Sequence, residues 1–186
     1  APTDGPDLLA RITAPSQSTA LPIRRVTPAS VDGLDAHGWR DLIDSAMRGT
    51  WAFAGGELLI ALPPAMTVID IDGDLPPRAL AFAAAPEVAR ALTLFDLTGS
   101  VAIDFPTLEA KGDRTEILTR FDDAMASPCE RTAPNGFGLM QVVSRVERPS
   151  LLHILHANRR LSHTLALLRQ AERAGGRGAL HITAHP

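Results

Sequence analysis

From residue 50 to residue 146 the apolar positions switch between short β-type runs and helical spacing, with Gly and Pro at the changes. Thr50–Phe53 and Glu57–Leu62 flank Ala54-Gly55-Gly56, which predicts a hairpin because paired glycines supply the positive φ of a tight turn; Pro63-Pro64 ends it. Met66–Asp72 and Ser100–Phe105 are rich in Val and Ile, a pattern that predicts parallel strands buried on both faces. The alanine-rich stretch 78–97 between them favours helix. Pro86 removes an interior hydrogen bond, so two short helices are expected, the second starting at Pro86 and burying Val88, Ala89, Leu92 and Phe95.

Upstream, Trp39, Leu42, Ile43 and Met47 have helical spacing. Downstream, Asp113 and Glu116 resemble a capping arrangement for a helix with Ile117, Leu118, Phe121 and Met125 inward. Two extended pieces, Cys129–Thr132 and Phe137–Val146, are joined by Pro134-Asn135-Gly136. A helix over Asn158–Ala174 puts Leu161, Leu165 and Leu168 on one side, and Ala179–Thr183 is expected as a terminal strand. The order predicts an α/β fold, a layered mixed sheet with flanking helices plus a small C-terminal helix-strand element. The expected divisions are a lead-in with short strands (1–36), an α/β domain (37–151) and the C-terminal element (152–186).

With 186 residues, 45% hydrophobic and 21% charged, the chain can bury one good core without staples. The lone Cys129 excludes an internal disulfide framework and a cysteine-rich zinc site. No apolar run is long enough for a membrane span and no basic-then-apolar leader is visible, so a cytoplasmic protein is expected. Charge is uneven. Residues 140–186 hold 7 basic and 2 acidic side chains against 11 and 19 in residues 1–139, and five of the six histidines also lie in that last part. Such a segment attracts phosphate without sequence specificity, or is simply a solvated helix face. His153 and His156, spaced i, i+3, lack a third ligand nearby and make a poor metal site. Trp39, Trp51 and the six phenylalanines are expected in the core, and 4% aromatic content argues against an extensive stacking surface.

The candidate chemistry lies in Asp70 and Asp104, each near the carboxyl end of a predicted strand where ligands of open α/β sheets gather. Two carboxylates there suit magnesium, which takes few protein oxygens and keeps water. Single aspartates also end strands as turn formers or caps, so the pattern leaves both readings open.

Taken together, Gly55–Ile60, Thr67–Asp72, Val88–Leu92, Phe95–Gly99, Val101–Phe105 and Gly136–Leu139 through Arg148–Leu151 resemble the catalytic core of the bacterial ribonuclease E/G family. The resemblance implies a DNase I-like subdomain and makes Asp70 and Asp104 the ligands of a magnesium ion, with manganese as an alternative. It further implies hydrolysis of phosphodiester bonds in single-stranded RNA, leaving a 5′-phosphate and a 3′-hydroxyl. Asp72, where the family usually has asparagine, would orient water or a ligand of the metal. Arg114, Arg145 and Arg148 are candidate phosphate contacts, as is Lys111, and each also reads as an ordinary surface or salt-bridging residue.

Some features depart from the family pattern. The segment after Asp72, Gly73-Asp74-Leu75-Pro76-Pro77, is shorter and lacks basic residues, and Gly136 stands where a basic residue precedes the Phe-Gly-Leu motif. No paired-cysteine zinc link exists, so any oligomer is not zinc-linked. A non-catalytic RNA-binding or interaction protein that retains the nuclease fold is therefore the competing reading. A hydrolase of small phosphodiesters is a third.

Overall fold

In the computed structural model, residues 33–173, 179 and 181–183 are described. The expected short strands within 1–32 lie outside them. In chain order the elements are α1 (Gly33–Ala36), α2 (Trp39–Arg48), β1 (Thr50–Phe53), β2 (Gly56–Ala61), β3 (Thr67–Gly73), α3 (Pro77–Leu94), β4 (Gly99–Asp104), α4 (Lys111–Ala124), β5 (Glu130–Arg131), β6 (Leu139–Ser144), α5 (Leu151–Ala157) and α6 (Arg159–Arg173). The strands form one six-stranded mixed sheet in the order β1-β2-β3-β4-β6-β5. Only β3 and β4 run parallel, as required by the helical crossover between them.

The predicted hairpin is present, with Phe53 opposite Gly56 across a turn in which Gly55 takes φ 93°. Gly56 in turn faces Gly73, and a side chain at either would strike backbone of the other strand or Leu80 Cδ1. This close approach lets the first turns of α3 settle over the strand ends just after Asp72.

The alanine-rich segment forms one 18-residue helix, α3, and not two. Pro86 sits inside it, and Pro77 occupies the start. An interior proline costs about 3 kcal/mol. Burial offsets that cost: Leu80, Ala81, Ala84, Ala85, Val88, Ala89, Ala91 and Leu92 all face the core, and the small alanines let the helix lie close to the sheet. Trp51, which donates from Nε1 to Glu87 at 2.9 Å and meets Phe95 edge-on, ties β1 to this helix.

α4 packs beside α3 and buries Ile117 and Phe121. The expected capping arrangement is absent: the N-cap is Ala110, Asp113 accepts from Arg78 at 3.0 Å, and Glu116 accepts from Arg120 at 2.7 Å. Salt partners across and along the helix outcompete the local cap. An additional helix, α5, follows Ser150, whose hydroxyl accepts from the His153 backbone N–H. The division placed after residue 151 falls in its first turn, and its Leu152 is fully buried. Leu161, Leu165 and Leu168 share a stripe of α6 as the spacing predicts, yet each is about half exposed. Residues 179 and 181–183 form no strand and pair with none of the six strands of the sheet.

A second correction concerns the central strands, which are buried on one face only. Ile69, Ile71, Val101 and Ile103 point to the helices, whereas Asp70, Asp72 and Asp104 are exposed on the other side. The aromatic expectation also fails in part: Trp39 is 47% exposed and Phe137 is 82% exposed.

Candidate functional site

The parallel register aligns Asp70 with Asp104 as the last pair between β3 and β4. Leu59 of β2 stands opposite Asp70, and Leu139 of β6 stands opposite Asp104, so one row across the sheet reads Leu59, Asp70, Asp104, Leu139. Adjacent strands are about 4.8 Å apart and side chains at paired positions share a face. The two carboxylates are therefore neighbours on the open side of the sheet, reached from opposite ends of a helical crossover. Asp72 extends the acidic surface one step along β3, facing Glu57 of β2.

Local bonds hold part of this set. An Asp70 oxygen accepts from the Ile71 backbone N–H at 3.0 Å, and an Asp72 oxygen accepts from Gly73 N–H at 2.8 Å. Asp104 has no hydrogen-bond or ion-pair partner among the described residues. No strand residue that the register places on the open face, Glu57, Leu59, Gln141 and Val143 among them, is basic. Like charges set side by side with no compensating cation are unfavourable. A divalent ion at this place would relieve the repulsion.

The residues present fit such an ion in one particular way. Among the described residues no three His, Cys, Asp or Glu side chains gather closely enough to hold a metal. Calcium, which takes six to eight oxygens, is poorly matched to an open pair; magnesium retains water and accepts one or two carboxylates together with substrate phosphate.

The structure separates the candidate basic contacts from the acidic pair. Gly99 pairs with Ser144, so Arg145, one residue further on, lies past the opposite end of β4 from Asp104, six residues and roughly 20 Å away. Arg148 lies beyond it and donates to Asp96 at 2.5 Å. Arg114 is closer to Asp104 along the chain, but its guanidinium donates to the backbone carbonyls of Leu108 and Glu109, at 2.7 and 2.8 Å, and so shapes the segment after β4. Lys111 is exposed at the start of α4. The two central histidines have structural partners: His153 contacts the Ser150 hydroxyl and His156 the Ala46 carbonyl.

Sequence inspection missed two residues at this end of the sheet, Glu57 and Phe137. The signal for Glu57 was available in the hairpin register once β2 and β3 were paired. Exposure of Phe137 had no such signal.

Fold and site together define an α/β domain whose one-sided mixed sheet presents paired carboxylates at the carboxyl ends of two parallel strands. The chain belongs to the ribonuclease E/G family, whose model matches residues 22–145. It is similar to a ribonuclease G of Haemophilus influenzae, 30% identical over 134 residues. That match covers 65% of this chain and 27% of the relative, so the chain spans about a quarter of the length of the protein it matches.

Proposed function

We propose that this chain carries the catalytic carboxylates of a magnesium-dependent endoribonuclease that cleaves single-stranded RNA to a 5′-phosphate and a 3′-hydroxyl. The observation that carries this reading is the in-register alignment of Asp70 and Asp104 on an exposed face, within a chain of the ribonuclease E/G family. Asp70 and Asp104 hold the cation, and manganese is an acceptable substitute. When bound, the ion neutralises phosphate charge and lowers the pKa of water.

The remaining roles belong to the protein. Two rigid strands fix the separation of the carboxylates, so little reorganisation accompanies the reaction. Asp72, anchored by Gly73 N–H, keeps an oxygen free to orient the attacking water. Arg114 organises the segment after Asp104, while Arg145 and Arg148 meet phosphates farther along the strand, at the distant end of the sheet. RNA suits this exposed face better than a small phosphodiester, because neither pocket lined by the described residues reaches Asp70 or Asp104.

The test is cleavage of a short unstructured RNA in magnesium by the native protein, Asp70→Asn and Asp104→Asn. Each substitution is expected to lower the rate about 100-fold or more. Activity left intact by both would remove the pair from the mechanism. RNA binding without any magnesium-stimulated cleavage in the native protein would instead favour a non-catalytic RNA-binding role.

A further inference from the structure

Phe137 is the most exposed large apolar side chain among the described residues, at 82%. Exposure alone means little, since single surface hydrophobics are common. Its setting is unusual because the surrounding backbone is fixed. Asn135 Oδ1 accepts from the N–H groups of Phe137 and Leu139, at 2.8 and 3.1 Å, while the Phe137 carbonyl accepts from Thr107 Oγ1 at 3.0 Å. Next to it, Gly138 has φ 95°, and its carbonyl accepts from Phe105 N–H at 3.2 Å. A Cβ on Gly138 would lie 2.0 Å from the Phe105 carbonyl oxygen, so only glycine lets the two segments cross this closely.

These bonds join the Phe137 loop to the residues immediately after Asp104. Leu139 stands opposite Asp104 in the ladder, and Phe137 is two residues before it. The two α-carbons are no more than about 13 Å apart. A phosphate held at the acidic pair thus has the base of a neighbouring nucleotide within reach of the phenyl ring.

We propose that Phe137 is a stacking platform for a nucleobase flanking the phosphate at Asp70 and Asp104. The proposal deepens the nuclease reading and rests on it. Stacking needs a rigid support and one free aromatic face, and the turn supplies both. It is tolerant of base identity because every base has a π-face, so Phe137 contributes grip on single-stranded RNA without a sequence preference. None of the described strand residues on the acidic face is basic, which leaves the ring as a holding element that does not depend on charge.

The experiment uses single-stranded RNA carrying a 2-aminopurine base and cleavage-resistant phosphate linkages, so that the strand stays intact, titrated in magnesium against the full chain with its native aspartates. Fluorescence quenching and affinity are compared with those of the same protein carrying Phe137→Ala, Phe137→Leu or Phe137→Trp. Alanine and leucine are expected to weaken binding on the order of tenfold and to lose the quenching, and tryptophan to retain both. The thermal midpoint should not move, because the ring is solvated. Equal affinity and quenching for the alanine and parent proteins overturns the proposal, as does absence of RNA binding by the parent, or loss confined to leucine and tryptophan. Cleavage of unmodified RNA by the same protein is scored separately, so failure of stacking and failure of the nuclease reading give different results.

Discussion

Asp70 and Asp104 point the same way from neighbouring strands, and Asp104 lacks a partner among the described residues; this arrangement costs stability for as long as both are ionised and uncompensated. Replacing Asp104 by Asn is accordingly expected to leave the unfolding midpoint unchanged or to raise it, while removing cleavage; a large fall in thermal stability would mark Asp104 as structural. Gly138 carries the opposite expectation. Alanine there must adopt φ near 95° and meet the Phe105 carbonyl, so Gly138→Ala should lower unfolding free energy by about 2–3 kcal/mol in denaturant titration. An unchanged midpoint would mean that the loop beside Asp104 is looser than its hydrogen bonds imply.

At the scale of elements, α3 shows burial overriding a local signal. Pro86→Ala restores an N–H donor inside the helix and removes a ring clash, against a smaller entropic loss in the unfolded chain. A gain of about 1–2 kcal/mol is expected from equilibrium unfolding. Destabilisation instead would show that the helix packs around the proline ring. The same contest explains what the sequence made legible. Strand and hairpin positions were readable because Gly55-Gly56 and the Val/Ile runs carry their own geometric demands. The helix continuing through Pro86 was not, because the compensating contacts come from the sheet. Nor was the cap of α4, where Asp113 prefers Arg78, 35 residues away. In β3 the alternation Ile69-Asp70-Ile71-Asp72 already marks one buried and one open face. Reading the run as buried on both sides overlooked that period, yet the pairing of Asp70 with Asp104 was legible because it depends only on strand ends and order.

Across the described residues, α3 covers one side of the central strands, and the strand residues on the other side form an acidic, partly apolar face. Leu59, Leu139 and Val143 are 37–46% exposed there, beside Glu57, Asp70, Asp72 and Asp104. A polyanion approaches such a face only with divalent cations present. Association of fluorescent single-stranded RNA is therefore expected to strengthen about tenfold or more when magnesium replaces monovalent salt at equal ionic strength. Equal affinity in chelator would place the RNA elsewhere. The most direct measurement is anomalous scattering from crystals of the protein soaked in manganese: a peak between the side chains of Asp70 and Asp104 is expected, and well-occupied manganese found only at other positions would contradict the assignment of this pair as the metal-holding centre.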